Sequence, residues 1–391
     1  MDIRQMKVCI ILPCVLPVPA TKGGAVEILT ESLVYYNSIY KKLKLTVVTI
    51  YDEEAYMLSK KYSEVEWIFI KKNVLIKYTD YFFRALRRIT KHTFKVSLYD
   101  YVVLNKIKNK KFDKIVFEGG NAFFAVKYKK YFPKEKMYYH FHSILRPNYK
   151  IEECFSNIFT ISEYLKKEFL KSTSFKEQNV HVLLNGIRLE NFIRRPDESK
   201  IRQYKSAFSI KEDDFVLIYV GRLIKEKGVH ELIQAINKVN DKSIKLFIAG
   251  SGTGFNSDYV NEIKECAEMP DNIFMLGYVS NEQLYEYYHL ADCFIMPSIC
   301  EEGAGLVQSE AYAAGIPAIV SDRGGIPEYR IKGASMVVEY GDEFVINLQK
   351  AIIDMKLAVK NRQYCSKDIQ EEIQKYSDEE YYLNYVKLLQ K

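Results

Sequence analysis

A single tryptophan stands among 391 residues, and the seven cysteines include no C-x-x-C pair and no zinc-finger spacing. Cys9, Cys14, Cys154, Cys266, Cys293, Cys300 and Cys365 are odd in number and scattered. That pattern argues against a disulfide framework or a zinc module and fits the reduced thiols of a cytosolic protein. There is no Asp-x-Asp pair, no internal repeat, no low-complexity tract and no apolar run long enough to span a bilayer. The stretch 8–18 is apolar and follows Lys7, as a secretory signal would, but Pro13, Pro17 and Pro19 would break a helical signal core. A buried strand at 7–13 followed by a loop fits it better.

Apolar residues make up 48% of the chain and charged residues 27%, the proportions of a folded globular protein. The net charge of +7 conceals an asymmetry. Residues 1–200 carry 36 Lys and Arg against 21 Asp and Glu, whereas residues 201–391 carry 21 against 29. A basic front half suits an anionic partner or an anionic membrane surface, or serves solubility alone.

At roughly 100–200 residues per domain the length suggests two domains. Short apolar runs alternate with helical patterns, the signature of a doubly wound parallel sheet. Strands are expected at 8–12, 45–50, 114–117, 137–141, 158–161 and 180–183, with helices at 25–36 and 162–170, the latter capped by Ser162. Polar residues gather from Arg194 to Lys205, and the linker is expected at about 190–205. A second alternation follows, with strands at 215–220, 245–249, 273–276, 293–296, 318–320 and 335–338 and helices at 229–240, 281–288 and 303–314. The expected organisation is a first α/β domain at 1–195, a second at 196–375 and a terminal amphipathic helix at 376–391 crossing back to the first. Ligands of such sheets bind beyond the carboxyl ends of strands, so the chemistry is expected in the loops after strands, on both sides of a cleft between the domains.

Two rear-half segments stand out. Gly221-Arg222 follows a strand and leads through Lys227-Gly228 into a helix. Free backbone N–H groups at a helix start, with two cations beside them, suit a diphosphate. Seven residues, Gly303 and Gly305 among them, separate Glu302 from Glu310, which puts the two about two helical turns apart on one face if the helix begins at 303. Glu310 sits among Leu306, Val307, Ala311, Ala313 and Ala314, and a carboxylate among apolar side chains needs hydrogen-bond donors, which ligand hydroxyls can supply.

These segments, with Asn185-Gly186-Ile187, Ala249-Gly250-Ser251-Gly252, Leu276-Gly277-Tyr278-Val279 and Met296-Pro297-Ser298, resemble glycosyltransferase family 4 in order and spacing. The resemblance implies a GT-B fold and a hexosyltransferase that uses a nucleotide-diphosphate sugar of UDP or GDP type, with retention of configuration and no metal ion. It implies that Arg222 and Lys227 grip the diphosphate, Glu310 the ribose and Glu302 the donor sugar. The backbone near Gly305, Leu306 and Val307 would touch the diphosphate, and Val279 would meet the nucleobase. Ala304 departs from the bulkier aromatic often found there. In the front domain Gly23-Gly24 is similar to the family's glycine pair beside the donor phosphate.

His140-Phe141-His142 ends a strand, and alternation sends both imidazoles to one face. Family members carry a histidine at such a strand end near the donor sugar; His142 is favoured and His140 stands second. A metal site there would need a third ligand, and the sequence offers none at suitable spacing. Glu118-Gly119-Gly120-Asn121 is a candidate acceptor-side loop, with Glu118 alternatively capping a helix at 121–130.

The resemblance makes a glycan or lipid-linked glycan the expected acceptor. No nucleic-acid motif is present. Residues 78–96 alternate Arg84, Arg87, Arg88, Lys91 and Lys95 with apolar positions, which suits a helix lying on an anionic membrane as well as an ordinary surface helix. The expected location is the cytoplasm, including the inner face of the cell membrane. Two other readings stay open: a nucleotide-sugar 2-epimerase of the same fold and a non-catalytic glycan- or partner-binding module.

Overall fold

The apolar runs of this chain are strands, and a computed structural model arranges them in two separate parallel sheets. The structure describes residues 5–72, 98–120, 124–143, 150–252 and 257–391.

The first unit comprises Met1–Asn185 and Asp378–Lys391. Its strands are β1 (Met6–Ile11), β2 (Leu43–Ile50), β3 (Glu66–Ile70), β4 (Lys114–Glu118), β5 (Met137–Phe141), β6 (Asn157–Thr160) and β7 (Val180–Val182). They lie in the order β3-β2-β1-β4-β5-β6-β7. A parallel sheet is covered on both faces, so its strands read as continuous apolar runs rather than alternating ones. In β1, Val8 and Ile10 pack with Leu29, Leu33 and Tyr382. Cys9 and Ile11, pointing the other way, pack with Tyr99, Val103 and Phe117.

The second unit is Gly186–Ser377. Its strands are β8 (Phe215–Val220), β9 (Ile244–Ala249), β10 (Ile273–Gly277), β11 (Cys293–Met296), β12 (Ala318–Ser321) and β13 (Ser335–Val338), in the order β10-β9-β8-β11-β12-β13. In each sheet the order reverses once, between β1 and β4 and between β8 and β11. Loops leaving the carboxyl ends of those neighbours diverge and open a crevice. Gly23-Gly24, Glu118-Gly119-Gly120, His142 and residues 221–228 and 297–305 lie at or after the ends of β1, β4, β5, β8 and β11, whereas residues 185–187 and 249–252 and Tyr278-Val279 lie at or after the ends of β7, β9 and β10.

The last helix, Asp378–Leu389, belongs to the first unit. Asp378 accepts hydrogen bonds from Ser32 Oγ at 2.9 Å and Tyr36 Oη at 3.0 Å, on helix Ala25–Tyr40, and the buried Tyr382 donates to Asn37 Oδ1 at 2.9 Å. Ser162 caps helix Glu163–Lys171, accepting from Leu165 N at 3.1 Å.

Several expectations are corrected. The segment expected as a linker is helical at Glu190–Ile193 and Glu198–Ala207 and lies inside the second unit. β3 has no counterpart among the expected strands: Glu66–Ile70 carries the short apolar run Trp67-Ile68-Phe69-Ile70 and, among the described residues, lies at the sheet edge paired with β2. The helix expected from 303 begins at Leu306 and ends at Ala313. Gly303 and Gly305 disfavour helix by about 1 kcal/mol each, so Glu302 stands in the preceding loop and does not share a helix face with Glu310. Residues 78–96, and residues 121–123 of the expected helix at 121–130, lie outside the described residues.

Candidate functional site

The loop after β8 is pinned by its own backbone. Gly221 N–H donates to Ala249 O at 3.0 Å, Leu223 N–H to Ser251 O at 3.1 Å, and the Arg222 carbonyl accepts from Tyr219 Oη at 2.9 Å. Leu223 is buried, which leaves the flanking Arg222 side chain exposed. A short turn, Lys225–Lys227, follows, and Gly228 at φ 71° starts helix Val229–Val239. A Cβ on Gly228 would collide with the Pro297 carbonyl in the loop after β11. Glycine therefore lets the two loops touch. Ile299 and Cys300 donate backbone N–H to Glu226 O at 3.0 and 3.3 Å.

This contact brings two of the candidates together. Lys227 Nζ forms a salt bridge with Glu302 Oε1, and Ser298 Oγ donates to the same oxygen at 2.8 Å. Arg222 and Glu302 both act electrostatically on Tyr219, whose hydroxyl is driven upward chiefly by burial. Arg222 also lines a cavity of about 290 Å³ with Gly221, Gly250, Tyr278 and Val279, and Tyr278 is 80% exposed.

Helix Leu306–Ala313 starts at Gly305 with no side-chain cap, so the N–H groups of its first turn, Leu306 and Val307 among them, lack a capping side chain. Glu310 accepts from the buried Tyr288 Oη at 3.0 Å. Burial raises the Glu310 carboxyl to about 7, and the Tyr288 bond only partly opposes the rise. The structure thus pairs Lys227 with Glu302 and places Arg222 beside Val279. The Glu310 carboxylate is bonded to Tyr288.

In the first unit, Gly24 stands at φ 96° as the N-cap of helix Ala25–Tyr40, and Gly23 precedes it at φ 70°. A side chain on Gly24 would collide with Glu27 and Leu16. Glu27 is buried in the first helical turn; burial raises its carboxyl, and its own amide and His142 pull the other way.

Both histidines converge on Glu118, the last residue of β4. His140 Nδ1 and His142 Nε2 each lie 2.8 Å from Glu118 Oε2, and Tyr385 Oη of the terminal helix lies 3.5 Å from Oε1. Burial alone would raise Glu118, but His140 and His142 hold it down at about 2. Burial and His140 push His142 down to about 4, against the pull of Glu118 and Glu27. The expectation that a third metal ligand is lacking is therefore corrected. The three donor atoms lie within 4.8 Å of one another and are a set that could hold a metal ion. Sequence spacing hides this because Glu118 meets His140 only through the pairing of β4 with β5. Glu118, expected in an acceptor-side loop or as a helix cap, is instead the hub of this cluster. Glu27, Tyr288 and Tyr385 join the candidate residues from the structure alone, since no local motif marks them, and Ser298 of the Met296-Pro297-Ser298 segment gains a role as a donor to Glu302.

Residues 200–371 match the family described as glycosyl transferases group 1. The chain is 34% identical over 179 residues to an uncharacterized glycosyltransferase of Methanocaldococcus jannaschii, covering 45% of this chain and 44% of that one. It is 30% identical over 208 residues to the lipopolysaccharide 1,2-N-acetylglucosaminetransferase of Salmonella typhimurium, covering 51% and 52%. The chain thus spans about half the length of these curated relatives. Its fold resembles that of Anabaena HepE, solved in complex with UDP, with a TM-score of 0.73 over 98% of this chain and 100% of that one at 15% identity. The two doubly wound domains are those of the GT-B fold.

Proposed function

We propose that this chain, whose residues 200–371 match the glycosyl transferases group 1, is a GT-B glycosyltransferase that moves a hexose-type sugar from a nucleotide-diphosphate donor to a hydroxyl of a glycan or lipid-linked glycan. The observation that carries the reading is the joined pair of loops after β8 and β11, which sets Lys227 against Glu302 beside the exposed Arg222. The N-acetylglucosaminetransferase activity of the Salmonella relative, and the UDP held by the Anabaena neighbour, support a nucleotide-sugar donor.

In this reading the bond between the anomeric carbon and the diphosphate oxygen breaks, and its electron pair leaves with the nucleoside diphosphate. Arg222, Lys227 and the amides of Gly305, Leu306 and Val307 stabilise that developing charge. Preorganised donors of this kind commonly supply more of the rate enhancement than any other single effect, so these groups suffice without a divalent ion. Glu310 takes the ribose hydroxyls, Val279 the nucleobase and Glu302 the sugar hydroxyls, once Lys227 turns to the diphosphate. The acceptor oxygen bonds to the anomeric carbon on the face the diphosphate leaves, and its proton passes to a phosphate oxygen, so configuration is retained. The basic first half favours work at an anionic membrane surface.

Thermal melting with a panel of nucleotides and nucleotide sugars identifies the donor, because a ligand at about 100 times its Kd adds roughly 2.7 kcal/mol. With that donor, Arg222→Ala loses one charge-assisted hydrogen bond, about 1.5–3 kcal/mol. The expected loss is tenfold to a hundredfold in kcat/KM, unaffected by EDTA. Full activity in that variant rejects the assignment. Donor turnover without transfer, yielding the 2-epimer, marks the chain as an epimerase.

A further inference from the structure

The Glu118 cluster has a consequence for how His142 presents itself. An ionised carboxylate only accepts hydrogen bonds. Glu118 is 2% exposed and faces both imidazoles through a single oxygen, so each contacting nitrogen must carry the proton. A neutral imidazole has one proton to place, and a hydrogen bond at one nitrogen decides the state of the other. In His142 the proton sits on Nε2, and Nδ1 is left as a bare acceptor. Among the described residues His142 Nδ1 is buried and has no partner. The groups acting on the ring are Glu118, His140 and Glu27.

We infer that Glu118 is a positioning residue that locks His142 in the Nε2–H tautomer, so that Nδ1 is offered to a hydroxyl donor on the ligand, with His140 as the second brace on the same carboxylate oxygen. The ring orientation is held from several sides. The His140 and His142 rings lie against each other with centroids 4.0 Å apart and planes tilted by 45°, Phe159 of β6 packs edge-on to His140, and Tyr385 reaches the other Glu118 oxygen. The ligand group this arrangement selects is an alcohol O–H. An ether or a methylated hydroxyl at that place would leave Nδ1 unsatisfied, and sites built to meet a hydroxyl discriminate strongly against analogues lacking it. The identity of that hydroxyl as one of the donor sugar's rests on the transferase reading; the tautomer does not.

The test uses the full chain labelled with 15N-histidine, whose six histidines give a tractable long-range proton–nitrogen spectrum. His140→Asn and His142→Asn assign the two signals. The expected result in the ligand-free wild type at pH 7 is a single His142 species protonated at Nε2 and unprotonated at Nδ1. Glu118→Gln, which removes the charge and lets the amide donate as well as accept, is expected to convert that species into a mixture of tautomers, and Glu118→Asp to restore it in part. A His142 protonated at Nδ1 in the wild type overturns the inference, as does an unchanged His142 spectrum in Glu118→Gln. So does stoichiometric metal that survives purification and leaves Nε2 unprotonated. If Glu118→Gln does not fold, the wild-type spectrum alone decides. Because no nucleotide sugar is present, failure here is distinct from failure of the donor-binding panel.

Discussion

Lys227 and Glu302 neutralise each other across two loops that meet only because Gly228 lacks a side chain. The two side chains are 15% and 16% exposed. Under the proposed function both residues meet the donor, and the free protein then holds a sugar-binding acid and a phosphate-binding cation against one another. Removing one partner strands the other in a largely buried place. A double-mutant cycle with Lys227→Ala and Glu302→Ala, followed by urea unfolding, should give a coupling of about 1–2 kcal/mol, between the values for exposed and buried pairs. Donor affinity should fall in both single variants, and a coupling near zero would mean the bridge contributes nothing to the resting state.

Under the proposed function Glu310 gives donor binding a pH dependence. Its carboxyl is raised to about 7, so at pH 6 most of it is protonated in the free protein. An ionised carboxylate accepts two ribose hydroxyls better than a protonated one. Affinity for a nucleotide sugar, whose diphosphate diester does not titrate in this range, should therefore rise about tenfold between pH 6 and pH 8 and level off above. Glu310→Gln should bind weakly and with a flat profile by calorimetry. The free protein moves the other way. The unfolded chain ionises first, so Glu310 lowers stability as pH rises from the ordinary carboxylate range to about 7. Tyr288→Phe removes a hydrogen bond that favours the ionised form and should move the binding midpoint upward.

The histidine cluster sets the acid limit of the first domain. His142 is held at about 4, well below its ordinary 6.5, so an unfolding chain takes up a proton there before the folded one does. Stability should fall as pH drops from about 6.5 toward 4. Glu118, held at about 2 against an ordinary 4.5, extends the loss below pH 4.5. Urea midpoints between pH 7 and pH 4 should decline less steeply in His142→Asn than in the wild type. An equal slope would show that the ring does not resist protonation.

Gly228→Ala tests the loop contact directly. The residue sits at φ 71°, and its new Cβ would press on the Pro297 carbonyl. The backbone strain alone is worth about 1–3 kcal/mol, and the displaced loop carries Lys227 away from Glu302. Loss of stability should come with loss of donor binding. Gly333→Ala, where an added Cβ meets nothing within 4 Å, serves as the control and should melt close to the wild type.

The sequence by itself determined what depends on neighbours along the chain. Strands such as Phe215–Val220 and Cys293–Met296 were legible because a sheet buried on both faces demands unbroken apolar runs. The loops after them were legible because glycine and base before a helix make a phosphate-binding pattern whatever surrounds it. Ser162 could be read as a cap because its target amide lies three residues on. The tertiary structure decided what depends on partners far away in sequence. Glu118 became the hub of two histidines only when β4 paired with β5, and Glu302 met Lys227 only when the loop after β11 closed on Gly228. The depth of Glu310 beside Tyr288, which sets its proton affinity, is likewise a matter of packing. Hydrophobic period and turn chemistry are local and are written in order along the chain, whereas ion pairing and desolvation are set by whichever groups the fold places within a few ångströms.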